Sequence, residues 1–168
     1  MLTQAGGPVV ISEKTLRALL DIRREKFLPL MYRRVVIARS SFNNFVEVFD
    51  KPDAKPPWLD VEDDCPGQEI PSRITVMEER DESSETAIKL GLAIGASVIL
   101  LEGPIKEKAK LSFIKSEGAL SILVWAYRQG WLSAVKPMVK ALKALGHDEV
   151  LPDEEKLQAL WEALDKLE

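Results

Sequence analysis

A chain of 168 residues that is 46% hydrophobic and 30% charged can bury the core of one ordinary domain, which we expect to span residues 1–168. A single cysteine and a single histidine exclude an internal disulfide and a zinc site of the usual Cys/His spacing. The net charge of −4 and the lack of a long apolar run exclude a uniformly basic surface and a membrane-spanning helix, so we expect a cytoplasmic protein without a membrane partner.

The first fifty residues predict two buried strands, each followed by helical segments. Residues 8–11 form a β-rich apolar run after two glycines, and residues 35–37 form a second run. Ser12 follows the first strand and is a suitable N-cap for a helix. A further helix over residues 25–32 contains Pro29, which predicts a kink or a break, and a third helix opens at Ser40 or Ser41.

Residues 51–72 contain five prolines and predict a flexible loop with a short extended piece at residues 58–61. Residues 74–77 predict a short edge strand after that loop. The loop is expected to be the least ordered part of the chain, because it offers little apolar area to offset the entropy of ordering.

The second half predicts one more buried strand among several helices. An acidic segment opens a helix over residues 84–94, residues 97–101 form a strand, and Glu102 lies just past its carboxyl end. Further helices are predicted at 104–111, 117–129, 132–145 and 153–167, so that C-terminal helices occupy residues 132–168. The alternation predicts an α/β fold with a parallel sheet, in which ligands bind beyond the carboxyl ends of the strands.

The segments SSETAIKL, LLEG and GALSIL resemble the PIN-domain group of metal-dependent nucleases. More narrowly, they resemble an uncharacterised prokaryotic PIN-like family related to toxin-type ribonucleases, over residues 9–151. The resemblance implies a three-layer α/β/α fold with a central parallel sheet. It also implies Mg²⁺ or Mn²⁺ held by converging carboxylates, RNA as the substrate, an antitoxin-like protein as a partner, and a homodimer.

The acidic motif of that family falls largely on other residue types in this chain. Its Asp after the first strand falls on Ser12, and its Glu in the helix after the second strand falls on Asn44. Its Gly-Glu pair falls on residues 83–84, with Glu85 one position later, and its Asp-Asp pair begins at Glu102. The resemblance therefore implies Glu102 and Glu85 as catalytic residues, and these two with Ser12 and Asn44 as a degenerate set of metal ligands.

Two functions remain open on this sequence. The first is a Mg²⁺- or Mn²⁺-dependent endoribonuclease of the toxin type. The second is a catalytically inactive PIN fold that needs no cofactor and acts as a nucleic-acid- or protein-binding module. The second is favoured, because neutral oxygens such as those of Ser12 and Asn44 hold a divalent ion poorly without several anionic partners.

Two sets of side chains outside the acidic motif carry further expectations. Four lysines following Glu102 are expected near the cleft at the strand ends, where they either contact phosphates or form an ordinary surface helix: Lys106, Lys108, Lys110 and Lys115. Four large apolar side chains of the C-terminal helices either form a two-fold dimer surface or complete the monomer core: Trp125, Trp131, Met138 and Trp161.

Overall fold

The computed structural model describes residues 7–45, 55–77 and 81–166. Within them, five strands form one parallel sheet in the order β3-β2-β1-β4-β5. The strands are β1 (Val9–Ile11), β2 (Val35–Ala38), β3 (Leu59–Glu62), β4 (Val98–Leu100) and β5 (Ser116–Glu117). The predicted parallel sheet is therefore confirmed, with β1 at its centre.

Helices connect successive strands and complete the chain after β5. They are α1 (Glu13–Asp21), α2 (Phe27–Met31), α3 (Arg39–Asn43), α4 (Ser72–Thr75), α5 (Glu82–Ile94), α6 (Pro104–Leu111), α7 (Ala119–Arg128), α8 (Lys136–Ala144) and α9 (Glu154–Asp165). A 3₁₀ turn, Asp148–Val150, joins α8 to α9. No helix in the described ranges is both long and apolar enough to cross a membrane.

Alternate side chains of each central strand enter separate apolar clusters on the two faces of the sheet. In β1, Val9 and Ile11 pack with α1, α2, α7, α8 and α9, whereas Val10 packs with α4, α5 and α6. A parallel sheet covered on both faces requires such continuous apolar strands, because neither face meets water. The predicted three-layer α/β/α arrangement is thus confirmed.

The strand order reverses at β1, which has β2 on one side and β4 on the other. Connections that leave in opposite directions open a crevice beyond the carboxyl ends of these strands, where open α/β sheets bind their ligands. Ser12 follows β1 directly, and Glu102 lies two residues after the end of β4. Two of the four predicted site residues, Ser12 and Glu102, therefore lie at the topological switch point.

The segment around residues 55–77 differs from the sequence-based expectation in its secondary structure. In the predicted loop 51–72, the extended piece is strand β3, which pairs with β2 from Val35↔Leu59 to Ala38↔Glu62. The predicted edge strand at 74–77 is wrong, because a helix begins after Pro71 and buries Ile74 alone. Residues 51–54 lie outside the described residues, and the mobility of the loop stays a prediction.

The C-terminal aromatic residues contribute to the monomer core and also reach the surface. Trp125 and Trp161 pack against the cluster on the α7 face of the sheet, as Met138 does. Trp131 is 40% exposed, although it stacks on Phe27 and meets the edge of Trp125 at a centroid distance of 4.8 Å. Much of the apolar surface on which the dimer was predicted is therefore in contact within the monomer. The homodimer stays a prediction.

Candidate functional site

A buried polar cluster occupies the switch point of the sheet. It consists of Ser12, Thr15, Glu102 and the backbone N–H of Ala119, and we call it the Glu102 cluster. Ser12 caps α1, with its Oγ 3.4 Å from the Thr15 backbone nitrogen and 3.1 Å from Thr15 Oγ1. Thr15 Oγ1 donates to Glu102 Oε2 at 2.5 Å, and the N–H of Ala119 donates to the same oxygen at 2.8 Å. One carboxylate oxygen therefore joins the starts of α1 and α7.

The second carboxylate oxygen of Glu102 is enclosed without a hydrogen-bond partner in the described residues. Glu102 is 2% exposed, and its Oε1 is one of the buried oxygens that lack a partner. Gly118 makes this enclosure sterically feasible, because a Cβ at that position would lie 2.7 Å from Oε1 and 3.1 Å from the Leu101 carbonyl oxygen. The glycine is needed for close approach, since its backbone is extended, with φ −135°.

The surroundings of Glu102 favour its neutral form. Burial raises the pKa of Glu102 to about 7, and the nearby charge of Glu149 acts in the same direction. Hydrogen bonds from Thr15 and Ala119 and the charge of Lys106 lower that pKa, but they do not outweigh burial. Near neutral pH the Glu102 carboxyl group is therefore divided between its neutral and its ionised form.

The other two predicted site residues have different surroundings. Asn44 is exposed and donates through Nδ2 to Glu13 Oε2 at 2.9 Å, so its contact is with Glu13 rather than with the Glu102 cluster. Glu85 is buried in the first turn of α5. The charged groups that shift the pKa of Glu102 are Lys106 and Glu149, and Glu85 is not among them. The structure therefore joins Ser12 to Glu102 through Thr15, whereas Asn44 bonds to Glu13.

Asp81 is bound by neighbouring donors at the start of α5. Its Oδ1 accepts from the N–H and hydroxyl of Ser83, and its Oδ2 accepts from the Ser84 hydroxyl at 2.6 Å. Lys14 lies 3.2 Å from Oδ2. Burial acts to raise the pKa of Asp81, but these hydrogen bonds and the lysine charge lower it below its usual value. The carboxylate therefore stabilises the helix start with its charge already balanced.

A groove of about 550 Å³ lies beside the Glu102 cluster, between α7, α9 and the start of α6, and we call it the α7 groove. Its apolar wall consists of Leu120, Val124, Trp125, Leu151, Pro152 and Leu160. Its charged side chains are three cations and three carboxylates: Lys106, Arg128, Lys156, Glu107, Glu117 and Glu149. Its volume and apolar lining are those of ligand pockets in general.

The residues at the switch point do not fit a divalent metal ion. Mg²⁺ and Mn²⁺ require several accessible anionic oxygens, and in the described ranges no three His, Cys, Asp or Glu side chains are grouped to hold an ion. Ser12 is fully buried and Glu102 nearly so. His147 pairs instead with Asp21, with Nε2 and Oδ2 2.6 Å apart, so it is not available to activate Ser12.

Three residues of the site were not singled out in the sequence. The spacing of Ser12 and Thr15 is a usual N-cap pattern, which signals a helix start and not a bond to Glu102. Lys14 carries no local signal for its partner Asp81. Gly118 precedes α7 and reads as an ordinary helix boundary, although its role is to leave space for a carboxylate distant in the chain.

Comparisons of the chain with protein-family models, with curated proteins and with solved structures give no significant match. The confirmed α/β/α architecture is compatible with the resemblance drawn from residues 9–151, and architecture alone does not define a family. Membership of the PIN-like group therefore stays a prediction from the residues.

Proposed function

We propose that this chain is a PIN-like domain without metal-dependent nuclease chemistry, which acts as a binding module. The observation that carries the proposal is the state of Glu102, the carboxylate that best matches the acidic motif. It is buried, it accepts two hydrogen bonds within the protein, and its pKa is raised to about 7. Because Glu102 is 2% exposed and its Oε2 already accepts from Thr15 and Ala119, the carboxyl group is not presented to an ion from solvent.

The acidic start of α5 supports the same conclusion. Asp81 balances its charge with Lys14 and two serine hydroxyls, so an incoming cation would have to displace an existing one. Catalysis by metal ions requires that the metal both activates water and neutralises the phosphate under attack. With Glu102 committed to internal contacts, and with no three His, Cys, Asp or Glu side chains grouped in the described ranges, that chemistry lacks converging anionic ligands.

The α7 groove supports a protein segment as the ligand of this module. Its three cations are offset by three carboxylates, so the groove does not attract a phosphate backbone. Its apolar wall follows one face of α7, and helical partners commonly insert an apolar face into such grooves. The antitoxin-like partner implied by the resemblance is a partner of this kind.

Addition of Mg²⁺ or Mn²⁺ to metal-free protein should leave its melting temperature unchanged, and single-stranded RNA should stay intact. An ion at one hundred times its Kd would stabilise the fold by about 2.7 kcal/mol, which thermal unfolding detects easily. Metal-dependent cleavage of RNA that is lost in Glu102→Gln would contradict the proposal. An exposed carboxylate on α9 provides the control, because Glu162→Gln should leave any such activity intact.

Leu160→Glu should abolish binding of apolar peptides selected from a displayed library, because it places a charge in the apolar wall of the α7 groove. Gln158→Glu is the matched control, since it adds the same charge at an exposed position of the same helix outside the groove. Fluorescence polarisation with labelled peptides measures both affinities. Equal affinities for the two variants would exclude the groove as the binding surface.

A further inference from the structure

The turn between α6 and β5 holds an aromatic side chain entirely in solvent. Phe113 is 100% exposed, and Leu111 beside it is 55% exposed. Phe113 also has a positive φ of 63°, a conformation that bulky residues rarely adopt. Its side chain therefore gains nothing from packing, while its backbone adopts a disfavoured geometry.

The backbone of this turn is fixed by a helix C-terminal motif. The N–H of Ile114 donates to the Ala109 carbonyl at 2.9 Å, and the N–H of Phe113 donates to the Lys110 carbonyl at 3.1 Å. Ile114 and Ala109 are both buried. This is a Schellman motif, in which the left-handed position usually holds glycine. Phe113 is thus presented outward on a rigid turn at a position where glycine would serve the fold better.

Cations outnumber carboxylates around this aromatic ring. Lys110, Lys115 and Glu117 line the same shallow depression as Phe113, and Lys110 lies 3.9 Å from Glu107. Arg73 donates to the Leu111 carbonyl at 2.9 Å. Residues 104–117 hold four lysines and two glutamates in a chain whose net charge is −4. We call Arg73, Lys110, Phe113 and Lys115 the Phe113 patch. Its three cations exceed the adjacent carboxylates of Glu107 and Glu117, so its charge complements an anionic partner, whereas the charges of the α7 groove are balanced.

The Phe113 patch lies at the amino ends of the strands, whereas the Glu102 cluster lies at their carboxyl ends. Because β4 and β5 are parallel, α6 begins beyond the carboxyl end of β4 and returns the chain to the amino end of β5. Of the four lysines expected near the cleft at the carboxyl ends of the strands, Lys106 lines the α7 groove. Lys110 and Lys115 instead flank Phe113 near the amino ends of the strands. The two sites therefore lie at opposite ends of the strands and share Glu117 in their linings.

We propose that the Phe113 patch binds single-stranded nucleic acid, with one base stacked on Phe113 and adjacent phosphates on Lys110 and Lys115. Unpaired bases expose a π-face that an outward aromatic ring can cover, and lysines along the same strand neutralise phosphates. A duplex keeps its bases stacked internally, so it can use the lysines and not the ring. An apolar protein partner would fit Leu111 and Phe113, but it would not use the positive charge of Lys115.

Phe113→Gly should weaken binding of a fluorescein-labelled ten-nucleotide RNA by about tenfold in fluorescence anisotropy, because one base loses its stacking surface. The variant should fold at least as stably as the wild type, since glycine is the preferred residue at that φ. Phe113→Trp should retain the affinity. Leu145→Ala is the control for removing an exposed apolar side chain from the other face, and it should have no effect.

Lys115→Glu should weaken the same binding by about tenfold at low salt and reduce the slope of log affinity against log salt by about 0.7 for each lost phosphate contact. Lys140→Glu is the matched control, because it makes the same charge change on α8, at the opposite face of the sheet.

No binding of the single strand by wild type, equal loss in Lys115→Glu and Lys140→Glu, or full affinity in Phe113→Gly would each overturn the proposal. In the first case a protein partner becomes the remaining occupant of the patch. Leu160→Glu should leave RNA affinity unchanged, so a failure of the α7 groove is distinguishable from a failure of the Phe113 patch.

Discussion

Raising the pH from 5 to 8 should destabilise the wild-type protein by on the order of 2–3 kcal/mol relative to Glu102→Gln. Native Glu102 keeps its proton until pH about 7, whereas an unfolded glutamic acid loses it near pH 4.5. Between these values the native state binds one proton more than the unfolded state. Stability conferred by this group is therefore present at low pH, falls as the pH rises through this window, and levels off above about 7.

Urea unfolding followed by circular dichroism at several pH values measures this difference. Glu102→Gln mimics the neutral carboxyl group and keeps an oxygen to accept from Thr15 and Ala119, so its own profile should be flatter. Glu162→Gln removes an exposed carboxylate and should preserve the wild-type pH dependence. A constant difference between wild type and Glu102→Gln from pH 5 to 8 would show that Glu102 does not titrate in this range.

Gly118→Ala should destabilise the protein by about 1–3 kcal/mol, the usual cost of overpacking a closed site. The added Cβ would lie 2.7 Å from Glu102 Oε1 and 3.1 Å from the Leu101 carbonyl oxygen, and the second atom is backbone that cannot rotate away. Urea unfolding gives the loss directly. The same measurement on Gly67→Ala is the control, because a Cβ at that position has no heavy atom within 4 Å.

A double-mutant cycle separates the two contacts of the added methyl group. Glu102→Ala removes both carboxylate oxygens, so Gly118→Ala should cost less in that background than in the wild type. Additive losses would mean that the clash is with the backbone alone and that Gly118 does not leave space for Glu102.

The three central strands were predictable, because a strand buried on both faces has apolar side chains at consecutive residues. Residues 9–11, 35–37 and 98–100 all form strands close to their predicted positions. Strand β5 was not predictable in the same way, since Ser116–Glu117 contains no apolar run. These two residues are extended because they pair with β4. Helix α4 replaced a predicted strand because a proline ahead of it favours a helix start over extended pairing.

The position of the candidate site was predictable from the sequence, but the burial and hydrogen bonding of Glu102 were not. Glu102 follows an evident strand, so its place at the carboxyl edge follows from the pattern. Its hydrogen bond to Thr15 joins residues 87 positions apart, and its burial depends on the close approach of Gly118. No local signal reports either contact. The exposure of Phe113 is equally hidden, because a phenylalanine near a helix end normally indicates core.

The central position of β1 has a consequence for how the chain is made. This strand is the first in chain order, yet it is bordered by β2 and by β4, and β4 is synthesised much later. As the chain emerges from the ribosome, one flank of β1 exposes unpaired backbone groups until β4 and the α5 connection follow. Such an open flank invites pairing with other nascent chains. The β1–β4 pairing therefore forms late in synthesis, and the Glu102 cluster beside it is complete only when Ala119 has followed.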